Sequence, residues 1–302
     1  MTTESTADLV HVIDIGGSHI TAAAVELANG MATITQTSGR DIDPHGPAEE
    51  ILAGWADACR ELGDIENTRW GIAMPDPFDF ERGIGTFVNV AKFEHLANVD
   101  LRHELAQRLG TAPERVRFLH DAAAYGIGEW MFGEARGHNR AVCITLGTGV
   151  GSTFLDRGEP IAHRADVPTN GTVHLLQIDG APLEDAVSTR AIIAAYERRT
   201  ATSVEVKTIA ERARAGEPDA RVVLDGAMHA LGAALGPWLA EFEASVLVAG
   251  GSISRSWDLL EQPFRAGIAE ADPEFAVAIE LRPSKLLDEA PLLGAATWLT
   301  RE

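Results

Sequence analysis

The period of hydrophobic and polar positions changes repeatedly along the chain, and each change marks an element. LVHVIDI (Leu9–Ile15) is almost continuously apolar, and after the small residues GGS the run HITAAAVEL (His19–Leu27) resumes it. The two read as β-strands joined by a glycine turn. From Pro47 to Leu62 the apolar positions Ile51, Leu52, Trp55, Ala58 and Leu62 take the spacing of one helix face. WGIAMP is a short buried strand stopped by proline. After the loop PDPFDFERGIG and the segment TFVNVAKFEHL, VDLRHELAQRLG predicts a helix ended by Gly110. VRFLH closes this half as a strand, and the alternation predicts an α/β domain with helices on the sheet faces.

The second half repeats the opening. RAVCITLGTGVGSTFLDRGEP is again β-run, glycine-rich turn and β-run, with TLGTG standing where DIGGS stood. Helices are predicted over Leu183–Tyr196 and Val222–Phe242, with a charged segment from Glu205 to Asp219 between them. ASVLVAGGSIS gives a buried strand followed by glycines, and EAPLLGAATWL a final helix. No low-complexity linker appears. The expected division is an N-terminal domain over residues 1–118, completed by the C-terminal helix 289–302, and a second domain over residues 119–288. That places FLHDAAAYG at the junction, a favoured location for small-molecule sites.

Length and composition narrow the class. The 302 residues are 45 % hydrophobic, enough for a sizeable core and two domains of ordinary size. A formal net charge of −20 argues against nonspecific attraction to nucleic acid or an anionic membrane. An anionic substrate must therefore be held by backbone amides, a helix terminus or a metal ion. With only Cys59 and Cys143 there is neither a disulfide framework nor a thiolate cluster, which fits a reducing cytoplasm. The N-terminal residues do not read as a signal peptide, and no apolar run approaches the ~20 residues of a membrane span.

Three glycine-rich turns could carry chemistry. In the first, Asp14 ends a buried strand ahead of Gly16, Gly17 and Ser18; glycines let backbone N–H groups approach phosphate, and Asp14 could orient Mg²⁺ through water. In the second, Thr145, Gly147, Thr148 and Gly149 form an equivalent turn. Its glycines are misplaced for a dinucleotide fingerprint, and no G-x-x-x-x-G-K-[ST] occurs. In the third, Gly250, Gly251 and Ser252 follow a strand, and a flat base or ribose could lie over the glycines. Asp121, in FLHDAAAYGIGEW, admits two readings: a cap for the helix that follows, or a catalytic base.

The trio DIGGS, TLGTG and AGGSIS, in this order and spacing, resembles the sugar kinases of the actin-like, hexokinase-type ATPase fold, and within them the ROK family. MPDPFDFERGIG resembles that family's loop of Pro-Gly-Pro-x-Asp type, HDAAAYGIGEW its Asn-Asp-Ala segment, and LLGAATWL its final helix. The resemblance covers nearly the whole chain. It implies an α/β fold of two actin-like (ribonuclease H-like) domains with a cleft between them, and ATP-dependent phosphorylation of a hexose or hexose derivative. Asp121 is then the general base. Asp14, Gly16, Gly17, Ser18, Thr145, Gly147, Thr148, Gly149, Gly250, Gly251 and Ser252 would hold nucleotide and phosphates. Asp76, Asn89, Lys92, His120, Asp121, His174 and Glu184 would line the sugar side. The implied partners are ATP, Mg²⁺, a small-molecule sugar and a second copy of the chain, in the cytoplasm, without nucleic acid or membrane.

The departures are equally specific. NGTVHLLQIDGAPLEDA has no cysteine where the family commonly has a zinc motif, so no structural zinc is expected. Gly171 stands in place of a family Glu ahead of His174, and His120 in place of the Asn before Asp121. Two other readings stay open: a sugar-sensing protein without catalysis, and a kinase that uses polyphosphate.

Overall fold

The computed structural model describes residues 8–88, 90, 92–178 and 180–301. These fall into two compact units, one of residues up to Gly128 together with the segment from Glu289 onward, the other from Glu129 to Asp288. The division follows Gly128, within a helix, and not residue 118.

In the first unit β1 (Asp8–Ile15) pairs antiparallel with β2 (His19–Ala28), placing Asp14 opposite Thr21 and Ile15 opposite Ile20. Val12, Ile13, Ile15, Ile20 and Ala22 are all fully buried, which explains the near-continuous apolar runs: this hairpin is covered on both faces. β3 (Met31–Asp41) extends the hairpin at the sheet edge. The hydrophobic pattern does not announce it, because MATITQTSGRD is mostly exposed and its place comes from backbone pairing. Helix α1 (Ala48–Arg60) buries Ile51, Leu52, Trp55 and Ala58, as its spacing predicts.

β4 (Trp70–Met74) runs parallel to β1, and a short ribbon follows, β5 (Phe78–Asp79) with β6 (Ile84–Gly85). Helix α2 (Leu101–Arg108) is capped by Asp100, whose carboxylate accepts the N–H of His103. β7 (Val116–His120) lies parallel to β4, and α3 (Asp121–Phe132) starts at the next residue. The sheet order is β3-β2-β1-β4-β7. The C-terminal helix, Ala290–Leu299, packs on β1 and β4. Small residues permit that approach: a Cβ at Gly128 would stand 2.0 Å from the Ala290 carbonyl oxygen, and one at Gly294 1.8 Å from that of Ala124.

The second unit repeats the plan. β8 (Arg140–Leu146) and β9 (Val150–Asp156) form the leading hairpin, with Thr145 opposite Gly151, and β10 (Glu159–Ile161) lies on the outer edge of β9. A ribbon, β11 (Gln177–Ile178) with β12 (Ala181–Pro182), precedes helices α4 (Glu184–Val187), α5 (Thr189–Thr200), α6 (Val206–Arg214) and α7 (Pro218–Glu241). β13 (Val246–Gly250), α8 (Gly251–Ser254), α9 (Trp257–Ala271), α10 (Pro273–Ala278) and β14 (Glu280–Pro283) complete it. Strand order β10-β9-β8-β13-β14 matches the first sheet position for position, and the strand directions match as well. The echo of DIGGS in TLGTG is therefore an echo of topology.

Three expected elements are redrawn. The helix expected over Leu183–Tyr196 is interrupted at Ser188, whose hydroxyl accepts the N–H of Ala191 and starts α5. The charged segment Glu205–Asp219 contains α6, amphipathic enough to bury Ile209, Ala210 and Ala213. Helix α7 begins at Pro218, because proline at the first turn loses no needed hydrogen bond. At 24 residues, with a window of mean hydropathy 1.2, α7 is also long and apolar enough to cross a membrane. Half of that window is buried in the protein, where α7 packs closely on α9 through Gly232 and Gly267.

Candidate active site

In the first unit the residues that could do chemistry collect around the ends of β1, β4 and β7. The turn after β1 is tight: the Gly16 N–H donates to the His19 carbonyl at 2.9 Å, and Ser18 accepts from the Ile42 N–H through its own carbonyl. A Cβ at Gly16 would lie 3.0 Å from the His19 oxygen, so glycine suits this position. Lys92 runs alongside, its Cδ 4.0 Å from where a Cβ would stand on Gly17. Asn89 lies outside the described residues.

The end of β7 delivers His120, the start of α3 delivers Asp121, and the loop after β4 delivers Asp76. His120 Nε2 stands 3.2 Å from Asp76 Oδ2 and 3.3 Å from Asp121 Oδ1. The ring is 23 % exposed, against 43 % for Asp76 and 40 % for Asp121. Phe80 meets it edge-on at 6.0 Å between centroids. Burial by itself would lower the imidazole pKa, but the hydrogen bond to Asp76 and the charges of Asp121 and Asp76 outweigh it, against a small opposing push from Lys92. The result is a pKa raised above the ordinary histidine value.

Asp121 is the first residue of α3, and its Oδ1 accepts the N–H of the next residue, Ala122, at 2.6 Å. An ordinary capping side chain reaches an N–H two or three residues further along. Here the carboxylate folds back on its own peptide, and the same oxygen faces His120. Ala122, Ala124 and Ile127 behind it are buried, so the carboxylate projects from a fixed helix start.

The second unit places the other glycine turns together. Gly147 N–H donates to the Gly149 carbonyl, and the Gly147 carbonyl accepts from Thr189 N–H at the start of α5. Glu184 Oε1 accepts from Val150 N–H at 2.7 Å and would lie 2.6 Å from a Cβ on Gly149. Ser252 Oγ stands 3.8 Å from the Cβ position of Gly147, which joins the turn after β13 to the turn after β8. Gly251 has φ +82°, and a Cβ there would meet the Leu146 carbonyl oxygen at 2.4 Å.

Beside these turns lies a pocket of about 480 Å³. Thr189, Ile193, Val206, Lys207, Arg214, Ser252, Ile253, Arg255 and Ser256 line it, together with Glu205 and Glu211. Sequence reasoning missed Thr189, Lys207 and Arg255. The signal was available in VKTIAERAR, whose apolar residues recur at helical spacing around Lys207.

The 3₁₀ turn Val173–Leu175 carries His174, and Ser152 anchors it: the Ser152 hydroxyl donates to the Gly171 carbonyl and accepts from Val173 N–H. Among the described residues no group of three or more His, Cys, Asp or Glu side chains is placed to hold a metal ion.

A model of the ROK family matches residues 10–172 and 178–302. The chain belongs to the ROK family. It is 28 % identical to a glucokinase of Thermotoga maritima over 94 % of this chain and 95 % of the other. An N-acetyl-D-glucosamine kinase of Pectobacterium carotovorum is 27 % identical over 71 % of this chain and 75 % of its own. Among solved structures, a ROK family glucokinase of Streptomyces griseus, in complex with glucose and AMPPNP, superposes with a TM-score of 0.75 at 25 % identity, covering 96 % of this chain and 98 % of that one. The chain thus has the actin-like two-domain fold of ROK proteins.

Gly171 takes its meaning from this membership. It has φ +69°, and a Cβ would meet the Ile161 carbonyl oxygen at 2.6 Å, so this backbone admits no glutamate there. Glu184, expected on the sugar side, is committed through Oε1 to the glycine turn after β8.

Proposed function

We propose that this ROK protein is a sugar kinase that transfers the γ-phosphoryl group of ATP to a hydroxyl of a hexose or hexose derivative, with Asp121 as general base. The observation that carries the reading is the carboxylate of Asp121, held at the start of α3 by its Oδ1, so that Oδ2 would be the oxygen to meet an acceptor hydroxyl. That hydroxyl oxygen forms the new bond to phosphorus, the bond from the γ-phosphorus to the β-phosphate bridge breaks to release ADP, and the hydroxyl proton passes to Asp121.

The pocket beside Ser252 suits the adenosine portion: it is large enough for a base and ribose, and apolar side chains of Ile193, Val206 and Ile253 face it. Backbone N–H groups of the two glycine turns would bind phosphate oxygens, which matters in a chain with 25 Lys and Arg against 45 Asp and Glu. Asp14, near the end of β1 beside the glycine turn, would supply one carboxylate to a magnesium site completed by water and phosphate oxygens, since the ion keeps much of its hydration shell. Bound there, Mg²⁺ would neutralise charge on the transferring phosphoryl group. Asp76 and the Lys92 side of the first turn would contact the sugar.

An assay with ATP or polyphosphate against glucose, other hexoses, N-acetylhexosamines and fructose tests this reading. ATP-dependent turnover with at least one sugar, lost in Asp121→Asn, is the expected result. Thermal stabilisation by a sugar without turnover would assign a sensor instead, and turnover with polyphosphate alone would assign a different donor.

A further inference from the structure

His120 is the residue that the kinase reading leaves without a task. Its Nε2 is shared by two carboxylates from different elements, Asp76 from the loop after β4 and Asp121 from α3. Both contacts of Asp121, to His120 and to the Ala122 N–H, fall on the same oxygen, Oδ1. A carboxylate pinned by one oxygen from two directions loses most of its torsional freedom. The second oxygen then has a defined direction.

We propose that His120 is a positioning residue: its Nε2 holds Asp121 by Oδ1 and ties it to Asp76, so that Oδ2 is aimed at the acceptor hydroxyl. The inference rests on Asp121 being the base. It assigns to the ring a hold on the base and on Asp76, and no direct contact with the sugar. An N–H on Nε2 serves in either protonation state, but the two states differ electrostatically. The imidazolium attracts the negative carboxylate and so opposes its neutralisation in the transfer step, an opposition the neutral ring does not exert.

The sign follows from the environment. Among the described residues the charged and titratable groups acting on the ring are Asp76, Asp121 and Lys92, with Phe80 as an apolar edge. The two aspartates win over burial and Lys92, so the ring carries its charge up to a pH above the ordinary histidine value and loses it as pH rises through that point. The rate should climb over the same window.

Three substitutions of His120, and a spectroscopic reading with two aspartate variants, test this on the full chain. His120→Ala should lower kcat about 10–100-fold, the order expected for a misaimed catalytic group, with sugar KM changed much less. His120→Gln keeps an N–H donor that cannot ionise. It should recover most of the Ala loss while losing the pH-dependent rise that the wild type shows in the same buffers with the same nucleotide. His120→Asn, with a shorter reach, should recover less. Independently of turnover, the Cε1 proton of His120, assigned by its loss in the Gln variant, should titrate above the ordinary histidine range and move downward in Asp121→Asn and in Asp76→Asn.

Wild-type kcat and pH profile in the Ala and Gln variants would overturn the proposal, as would a His120 titration that ignores both Asn substitutions. If the wild type turns over no sugar, the kinase reading falls by itself. The titration then decides alone whether the ring holds the two carboxylates.

Discussion

The two units share one strand order and one kind of leading hairpin, yet they differ at the position where each hairpin turns. The first hairpin ends in Asp14-Ile15-Gly16-Gly17-Ser18, the second in Thr145-Leu146-Gly147-Thr148-Gly149, and the pairings Asp14–Thr21 and Thr145–Gly151 put aspartate and threonine at corresponding places. Around the first turn the first unit gathers ionisable groups: Lys92 beside Gly17, and His120 between Asp76 and Asp121. Around the second the other unit has Glu184, spent on a backbone N–H, and an adjacent pocket whose lining mixes Ile193, Val206 and Ile253 with charged side chains. On the proposed reading one fold carries two chemistries, proton handling in one unit and nucleotide holding in the other. The backbone explains the shared turns; a few side chains explain the division of labour.

The sharpest way to break that comparison is to remove the proton acceptor. Asp121→Asn keeps the shape and an acceptor for the Ala122 N–H but cannot take a proton. We expect kcat to fall about 10²–10⁴-fold with little change in the KM for sugar, measured by coupled ADP release. A large rise in KM at unchanged kcat would make Asp121 a binding residue and return the proton-handling role to another group.

Exchanging the chemistry at the corresponding turn positions gives the next largest effect. Asp14→Asn should lower activity about 10–100-fold at low Mg²⁺, with partial recovery as Mg²⁺ is raised, since losing a group that orients the metal typically weakens metal affinity or activity on that scale. Thr145→Ala, at the equivalent place in the second unit, should leave the Mg²⁺ dependence unchanged. A Mg²⁺ titration of both variants decides whether the asymmetry between aspartate and threonine is functional.

The third test concerns the backbone of the turn after β13, in the second unit alone. Gly251 combines φ +82° with a close approach to the Leu146 carbonyl. Gly251→Ala should cost about 1–3 kcal/mol from the left-handed conformation alone, read as a lowered Tm. It should also raise the KM for ATP, since Ser252 and the pocket follow directly. Gly180→Ala, at φ +81° with nothing within 4 Å, provides a control for strain without a close approach.

These features were unequally legible in the sequence. Both leading hairpins could be read because strands covered on two faces, such as Leu9–Ile15 and Arg140–Leu146, leave continuous apolar runs beside their glycines. The edge strand β3 left no such trace, since its residues are exposed and its place depends on pairing with β2. Helix α6 was masked by charge: Lys207, Glu211, Arg212 and Arg214 dominate the segment, while the buried Ile209, Ala210 and Ala213 mark its inner face. Asp121 could be singled out by its isolation among alanines and glycines. Its tie to Asp76 through His120 joins residues distant in the chain, and neither spacing nor composition encodes it. The commitment of Glu184 to Val150 was hidden for the same reason.

The smallest expected effect probes Lys92, beside the first turn. Lys92 lowers the affinity of His120 for a proton, because two positive charges oppose each other, while Asp76 and Asp121 raise it. Lys92→Ala should therefore move the His120 titration upward, opposite to the downward movement in Asp76→Asn or Asp121→Asn and smaller, since Lys92 is the weakest of the influences on the ring. The acid limb of the rate would shift upward with it, so the variant should lose activity below neutrality and approach the wild type at higher pH. No movement of the titration would place the ammonium group out of electrostatic reach of the ring, its stem beside Gly17 notwithstanding. A downward movement would mean that Lys92 acts mainly by arranging the two aspartates, and the cluster of the first unit would then have to be understood as a single coupled network.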